Sequence, residues 1–427
     1  MKHNNVNRYA EFCQFRREIR GSVENVIVGI DVAKERHHAF FGTATGQALL
    51  KRLLFDNSAG GFSELLERVG QLKTRHGLSK AVFALEPTGN YHKPLANWLL
   101  EQGQLLVLVS NHAIAENRQT LDGRWDKNDT KDSANVADLV SQGKCQFFEE
   151  PDADLLELRA LLSLRKRLKK QEHSIRMQIR NGLVARHFPE FDRHWGSCLT
   201  ENLAIVRWCL DPRKISAMSF SDFLSLVTTR DRGQRQERRL RAIHKVAASS
   251  VGCPVNEATV FEAQTLVERF HDVHRRIEQT EAQIETVCRR FPTYRRIRTI
   301  PGFGPYVCSQ VLAKIGDPHR FKVRKQVVRL AGFDLNAKRS GKRSQTAVPV
   351  ISKRGNTDLR YALYQAALIA SYHHAGFRAL FTRYLKGREK ERGIRTKMRV
   401  KLAAKMLVIA WTMMRTETDF DPNLLAV

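Results

Sequence analysis

Four acidic residues in the first third of the chain could act together on a phosphodiester bond. Asp31 and Glu86 each follow a short apolar run typical of a strand, and Asp129 and Asp132 are three residues apart. In open α/β sheets ligands gather beyond the carboxyl ends of strands, and residues three apart share one face of a helix. Converging carboxylates repel one another unless divalent cations lie between them, and paired magnesium ions are typical of phosphodiester cleavage. We therefore predict that these four residues form a magnesium-binding cluster.

Each of these carboxylates also has a purely structural interpretation. An aspartate that follows a strand is commonly a turn residue, and Asp129 or Asp132 could simply favour the N-terminus of a helix. The functional interpretation gains weight because all four occur in one strongly basic chain. Lys127 and Lys131 flank the acidic pair and are candidate phosphate contacts.

A second motif is the Pro-Gly-Phe-Gly-Pro turn of residues 301–305. Backbone N–H groups at Gly302 and Gly304, together with a helix N-terminus, could bind a phosphate without reading the base sequence. This is the arrangement of a helix-hairpin-helix element. Because Gly-x-Gly turns are common, the motif alone leaves DNA contact and an ordinary turn equally open.

A third group places serine hydroxyls among cations. Its members are Lys338, Arg339, Ser340, Lys342, Arg343 and Ser344, followed by Lys353 and Arg354. The cations could hold a phosphate and stabilise charge on a transferring group. A serine becomes a nucleophile only beside a base or a metal, and no neighbouring base is visible in the sequence. Taken alone, the motif favours a serine that contacts phosphate over a serine nucleophile.

The composition favours a nucleic-acid partner. In a chain of 427 residues, 72 Lys and Arg exceed 44 Asp and Glu, which gives a formal net charge of +28 that attracts polyanions. The seven cysteines include no Cys-x-x-Cys pair, so they suggest neither a disulfide framework nor a zinc site. No apolar run reaches the roughly 18 residues of a transmembrane helix. We therefore expect a cytoplasmic, nucleoid-associated protein rather than a secreted or membrane-spanning one.

Four segments are expected along the chain. Residues 1–24 form an N-terminal extension without an assignable motif. Residues 25–150 alternate strand-like and helix-like runs, which predicts an α/β domain with a largely parallel sheet. Residues 151–290 hold two long amphipathic stretches that predict a helical, coiled-coil linker with a basic insert at 230–241, either a solvated helix face or a strip that contacts a nucleic-acid backbone. Residues 291–427 predict a mostly helical C-terminal domain.

Taken in order, these motifs resemble those of DEDD-type insertion-sequence transposases, the relatives of the Piv invertase that are also known as bridge-RNA-guided recombinases. The acidic motifs that carry the likeness are residues 29–34, 86–91 and 127–132. Six further motifs are similar to the family's C-terminal domain in the same order, at residues 301–304, 315–317, 320–321, 331–333, 340–341 and 351–356. The likeness covers about residues 25–150 and 291–380.

The resemblance implies an N-terminal RuvC-like domain of ribonuclease-H type, a coiled-coil linker and a C-terminal transposase domain that carries a serine. It implies that Asp31, Glu86, Asp129 and Asp132 hold magnesium. It also implies that Ser340 attacks a DNA phosphate and forms a transient phosphoserine link, with Ser344 as a second candidate because the following stretch departs from the family pattern. Composite sites in a homodimer or tetramer, and a structured bridge RNA that pairs with target and donor DNA, are further implications.

Three other classes of protein are compatible with parts of this pattern. A junction-resolving nuclease would use the same carboxylates with a hydrolytic water and would not need Ser340. An ATP-using protein of the actin or sugar-kinase type would want a glycine-rich phosphate turn after Asp31, where Val-Ala-Lys-Glu follows instead. A non-enzymatic nucleic-acid-binding protein accounts for the charge but leaves the four carboxylates without a role.

Overall fold

The computed structural model describes residues 8–87, 89–121, 129–148, 152–195, 199–228, 233–336 and 350–425. The chain divides into two compact units, Met1–Glu150 and Pro151–Val427. The N-terminal unit is a mixed α/β domain, and the C-terminal unit is mostly helical.

A sheet forms the centre of the N-terminal unit. Its described strands are β1 (Asn25–Asp31), β2 (Arg36–Thr43), β3 (Ala48–Asp56), β4 (Lys80–Leu85), β5 (Leu105–Leu108) and β6 (Gln146–Phe147). The helices of this unit are α1 (Arg8–Ile19), α2 (Ala59–His76), α3 (His92–Glu101), α4 (Asn111–Leu121) and α5 (Asp129–Ser141). The strands lie in the order β3-β2-β1-β4-β5-β6.

The sheet is mixed, so the prediction of a largely parallel sheet is wrong. β1 pairs in parallel with β4, and β4 in parallel with β5. The pairs β1–β2, β2–β3 and β5–β6 are antiparallel. Only residues 32–35 join β1 to β2, and only residues 44–47 join β2 to β3. Connections this short permit antiparallel pairing alone, because a parallel crossover needs about a dozen residues or more.

Helices cover both faces of this sheet. On one face, alternate residues of β1 from Val26 to Ile30 form a core with α2 and α3. On the other face, Ile27 packs with α1, α4 and α5, and Phe15 and Ile19 of α1 are buried there. Part of the N-terminal extension therefore belongs to this domain. Because side chains alternate between the faces of a strand, Asp31 lies on the same face as Ile27.

The described part of the C-terminal unit consists of helices and one short ribbon. Its α-helices are α6 (Ala153–Met177, continued by a π-helix at Gln178–Val184), α7 (Ala185–His187), α8 (Leu199–Cys209), α9 (Pro212–Ala217), α10 (Phe220–Val227), α11 (Gln234–Ala247), α12 (Glu257–Cys288), α13 (Pro292–Ile297), α14 (Pro305–Ile315), α15 (Arg324–Leu330), α16 (Thr357–His373), α17 (Ala375–Leu385) and α18 (Ile394–Thr416). Short 3-10 turns occur at Pro189–His194, Pro318–Arg320 and Pro422–Leu425, and the antiparallel strands β7 (Leu335–Asn336) and β8 (Val350–Ile351) form the ribbon. Among the described helices, none has the length and apolar character needed to cross a bilayer.

Two long helices, α6 and α12, pack side by side through the C-terminal unit. Ion pairs join Asp154 to Arg290 at 2.9 Å and Arg165 to Glu281 at 2.6 Å. Since the partner position falls along α12 as the position rises along α6, the two helices are antiparallel. One hydrophobic core joins the beginning of α6 and the end of α12 to α13–α18, and a second joins the π-helix and the beginning of α12 to α8–α11.

The basic run of residues 230–241 is partly structural. Arg239 of α11 is largely buried, where it pairs with Glu201 and donates to the side-chain oxygen of Asn202 at 2.8 Å. Arg238, the preceding residue, is exposed. The helix therefore turns Arg239 inward and Arg238 to solvent, and contact of the exposed cations with a nucleic-acid backbone stays a prediction.

Candidate active site

Asp31 and Glu86 lie side by side at the carboxyl ends of two neighbouring strands. The parallel register of β1 and β4 ends with Ile30 opposite Leu85, and Asp31 and Glu86 are the next residues of the two chains. Adjacent strands lie about 4.8 Å apart, so the two backbones are neighbours here. Both side chains are partly exposed. The strand ends thus bring together two of the four predicted carboxylates.

The face of the sheet under these residues is covered by α5. Gly29 makes this possible, because a Cβ at that position would meet the Ser133 carbonyl oxygen and come within 2.7 Å of the Ala137 nitrogen. The backbone of α5 therefore crosses β1 in direct contact with Gly29. Asp31 shares the face of Gly29, and Asp132 directly precedes Ser133, so Asp132 belongs to the helix that covers this face.

Asp132 is buried and held by an arginine of α4. Its side chain is 2% exposed. The Arg118 guanidinium donates to Asp132 Oδ1 from Nε at 2.9 Å and from Nη2 at 2.6 Å. A buried carboxylate is costly unless it is paired and hydrogen-bonded, and Arg118 meets both needs. Asp132 is therefore both oriented and neutralised by α4.

Further polar contacts fasten α4 to α5. Asn117 of α4 donates to the Asn135 side-chain oxygen at 2.7 Å and to Asp138 Oδ2 at 2.8 Å. Asn135 in turn donates to the Ile114 carbonyl at 2.8 Å. Because each of these groups is satisfied across the two helices, α5 cannot shift without breaking several hydrogen bonds at once.

The carboxylates of Asp31 and Glu86 at the ends of β1 and β4 suit a hard divalent cation, since carboxylate oxygens are the ligands that magnesium and calcium prefer. Among the described side chains, however, no group of three or more His, Cys, Asp or Glu is close enough to hold a metal ion. Asp129 begins α5, and its side chain lies outside the described set. Asp132 would have to share its carboxylate between Arg118 and a metal.

In the C-terminal unit, Gly302 and Gly304 lie in the turn between α13 and α14. A Cβ at Gly302 would lie 2.5 Å from the Ala366 carbonyl oxygen of α16, so this turn packs directly on that helix. Gly304 begins α14 as its N-cap, and a Cβ there would meet no neighbouring atom within 4 Å. The turn therefore has one glycine fixed by packing and one facing open space.

Lys353 and Arg354 lie in the connection between β8 and α16, and both are exposed. Lys353 adopts a left-handed backbone conformation with φ of 54° and donates its backbone N–H to the Gly332 carbonyl at 3.1 Å. Ser352 anchors the same connection by donating to Asp334 Oδ1 at 2.6 Å. These bonds hold the two cations beside the beginning of α16.

Two family models match segments of this chain. The model for the DEDD transposase domain of IS110, described as a transposase, matches residues 28–189. The model described as "Transposase IS116/IS110/IS902 family" matches residues 294–382. The chain belongs to this family of transposases. Its members are enzymes that cleave and rejoin DNA.

Similar proteins cover between 68% and 93% of the transposase. The transposase for insertion sequence element IS1111A of Coxiella burnetii is 24% identical over 68% of this chain and 68% of its own length. An insertion element IS116 protein of Streptomyces clavuligerus is 22% identical over 93% of this chain and 97% of its own. The pilin gene-inverting protein of Moraxella bovis is 21% identical over 93% of this chain and 98% of its own.

Several predicted site residues of the transposase lie outside the described residues. These are Lys127 and the residues of the basic serine motif, Lys338, Arg339, Ser340, Lys342, Arg343 and Ser344. Lys131 lies in the first turns of α5, is partly buried and makes an interaction of its own. The assignments of all these residues stay predictions.

Two residues beside the acidic cluster were missed in the sequence. Arg118 is 14 positions from Asp132 and carries no local signal, because its role depends on how α4 packs against α5. His38 lies directly opposite Asp31 in the antiparallel register of β1 and β2.

The sequence shows His37 and His38 as an adjacent pair, but strand alternation sends the two rings to opposite faces of the sheet. His37 is fully buried, and this burial lowers its pKa, assisted by the charge of His38 and opposed by a hydrogen bond with Asn57.

Proposed function

We propose that this transposase excises and inserts an insertion-sequence element by DNA strand exchange. The observation that carries the proposal is the placement of Asp31 and Glu86 at adjoining strand ends, on the face of the sheet that α5 covers. The two matched family segments enclose this cluster and the serine-bearing region respectively. The order of elements in the N-terminal domain supports a RuvC-like, ribonuclease-H-type assignment.

Asp31, Glu86, Asp129 and Asp132 would hold divalent magnesium. When bound, such ions offset the charge of the phosphate that is cut and polarise its oxygens. Arg118 orients the Asp132 carboxylate, and the hydrogen bonds between α4 and α5 keep the helix in place over β1. Lys127 and Lys131 would contact phosphates next to the cluster.

Ser340 is the proposed nucleophile. Its oxygen forms a bond to the DNA phosphorus while the bond from phosphorus to a sugar oxygen breaks, and that sugar oxygen leaves as a hydroxyl after taking up a proton. A sugar hydroxyl of the exchanging strand then attacks the phosphoserine and releases the serine. The neighbouring cations Lys338, Arg339, Lys342 and Arg343, with Lys353 and Arg354, would hold the phosphate during both steps.

The remaining elements of the proposal concern assembly. The N-terminal catalytic domain (25–150), a helical linker with coiled-coil character (151–290) and the C-terminal serine domain (291–427) would form composite sites between protomers of a homodimer or tetramer. The turn at Gly302 and Gly304 would contact a DNA backbone. A structured bridge RNA would select target and donor DNA, and the enzyme would act at the nucleoid in the cytoplasm.

The experiment is amplification of the circular junction of the excised element from cells that carry the intact element. Wild type is compared with Asp31→Asn, Ser340→Ala and Ser344→Ala at matched protein levels. We expect a circle from wild type and Ser344→Ala, and none from the other two variants. A circle that survives Ser340→Ala but not Asp31→Asn would refute Ser340 as the nucleophile, and loss of the circle in Ser344→Ala would then assign that role to Ser344. Circles from all the variants would refute the proposed catalytic cluster.

A further inference from the structure

A recessed, positively charged groove lies within the C-terminal unit, between α6, α14 and α16. Its cavity volume is about 670 Å³, within the range of pockets that enclose a small molecule or part of a larger one. Five cationic side chains and one carboxylate line it. None of its lining residues belongs to the acidic cluster, the glycine turn or the serine motif.

One stripe of α14 forms the floor of this groove. Tyr306, Gln310 and Lys314 follow one another at intervals of four residues, so they lie along one face of the helix. Lys314 is partly buried, and burial lowers the pKa of its ammonium group, an effect that Asp358 opposes. No carboxylate lies within ion-pair distance of Lys314 among the described residues. A bound anion would supply the charge partner that this ammonium group lacks.

The walls of the groove carry further cations and an exposed ring. Lys166 of α6 reaches across to Asp358 of α16, with its ammonium 2.9 Å from each carboxylate oxygen. The guanidinium of Arg165 stacks over the Tyr306 ring, 4.2 Å from its centroid. Tyr361 of α16 is 58% exposed and presents a flat aromatic face at the groove.

A buried acceptor points to the kind of ligand. Gln310 is only 4% exposed, and its side-chain oxygen has no hydrogen-bond donor among the described residues. A buried amide oxygen without a donor is costly, and native proteins rarely leave one unpaired. A ligand that brought an N–H donor into the groove would satisfy Gln310, and a nucleobase amino group is such a donor.

We propose that this groove binds an unpaired nucleotide of a nucleic-acid strand. Its phosphates lie against the cations around Lys314, its base stacks on Tyr361, and an amino group of the base donates to Gln310. Base–aromatic stacking beside a basic groove is a common mode of single-strand binding. An acidic peptide would pair with the cations and has backbone N–H groups for Gln310, but it would bring no base to stack on Tyr361.

The proposal rests on the proposed function only in taking nucleic acid as the ligand, and it assigns a binding site that strand exchange alone does not require. The full-length protein is titrated with single-stranded DNA that carries one 2-aminopurine, whose fluorescence falls when the base stacks on a ring. Single-stranded RNA of the same sequence, a fully paired duplex and a free mononucleotide form parallel arms. These arms separate DNA from RNA, and a strand from a free nucleotide.

Matched variants test each contact. Tyr361→Phe keeps the ring and should keep the quenching, whereas Tyr361→Leu should abolish it and weaken single-strand binding about 5- to 100-fold. Gln310→Leu removes the acceptor and should weaken binding of the amino-bearing base while the protein stays folded. Lys314→Met should reduce the slope of log binding constant against log salt concentration by about one. Lys51→Met, at an exposed position of β3 in the other unit, should change this slope less.

Equal quenching by Tyr361→Leu and Tyr361→Phe would overturn the proposal, and so would displacement of the strand by a free mononucleotide. A duplex that depends on Tyr361 as strongly as the single strand would also overturn it. Circle formation by wild type without any Tyr361-dependent quenching would leave the proposed function standing and refute the groove. Tyr361-dependent quenching by a protein that forms no circle would support the groove and refute the proposed function.

Discussion

Arg118 holds Asp132 through two hydrogen bonds to a single carboxylate oxygen, Oδ1, and no side chain in the described part of the chain donates to Oδ2. The Asp132 side chain of this pair is almost fully buried, with 2% of its surface exposed. An ion at the acidic cluster could therefore share Asp132 with Arg118 rather than displace it. The Arg118 guanidinium thus supplies Asp132 with a positive charge that does not depend on a bound metal ion.

Removing that arginine should make the protein depend on metal for its stability. Arg118→Gln leaves a buried carboxylate without its charge partner, which is expected to cost about 3–5 kcal/mol of folding free energy. Thermal unfolding with and without magnesium measures the effect. Magnesium should raise the melting temperature of the variant more than that of wild type. An equal rise in both proteins would mean that Asp132 is not part of the metal-binding cluster.

The contact between β1 and α5 should tolerate no side chain at Gly29. Gly29→Ala would force the α5 backbone away from the sheet, and overpacking of this kind is expected to cost about 1–3 kcal/mol together with loss of excision. Gly70→Ala is the matched control, because it lies in α2 with no neighbouring atom within 4 Å of the new Cβ. Alanine is the better helix former, so this control should be neutral or stabilising by about 0.5–1 kcal/mol. Urea denaturation of both variants gives the comparison, and similar losses in the two would contradict it.

The two neighbouring arginines of α11 should behave differently. Arg239→Ala removes the cation that pairs with the buried Glu201 carboxylate and should lower the free energy of unfolding by about 3–5 kcal/mol. Arg238→Ala removes an exposed side chain and should change it by about 0.5 kcal/mol or less. Measuring the affinity of the folded variants for nonspecific DNA tests whether the exposed cations of α11 contact a DNA backbone. A larger stability loss in Arg238→Ala than in Arg239→Ala would overturn the assignment.

His37 should make the N-terminal domain less stable in mild acid. Burial lowers its pKa below the usual value of 6.5, so the unfolded chain takes up a proton that the folded chain does not. The stability from neutral His37 is present above pH 6.5 and is lost as the pH falls from there toward the folded-state pKa. The ring nitrogen Nδ1 also accepts from the Ala33 N–H at 3.2 Å, which requires the neutral form.

His37→Asn keeps an acceptor near the position of Nδ1 but does not titrate in this range. Urea unfolding across a pH series should therefore show a wild-type advantage near neutral pH that shrinks below pH 6.5. Parallel pH dependences of the two proteins would show that His37 is not responsible.

The sequence by itself determined which residues could carry chemistry and what kind of element holds each of them. Asp31 and Glu86 follow apolar runs short enough to be strands, and the run after Asp129 has helical spacing, because hydrophobic periodicity is a local property. The order of the motifs also determined the family, which the comparisons confirm.

Only the tertiary structure decided how those elements meet. The parallel pairing of β1 with β4, the passage of α5 over Gly29 and the pairing of Arg118 with Asp132 all join residues that no short window contains. The groove of α6, α14 and α16 was likewise invisible, because its cations come from helices far apart in the chain and each looks, alone, like a solvated face. Local patterns encode periodicity and chemistry, whereas pairing direction and shared pockets are set by long-range packing.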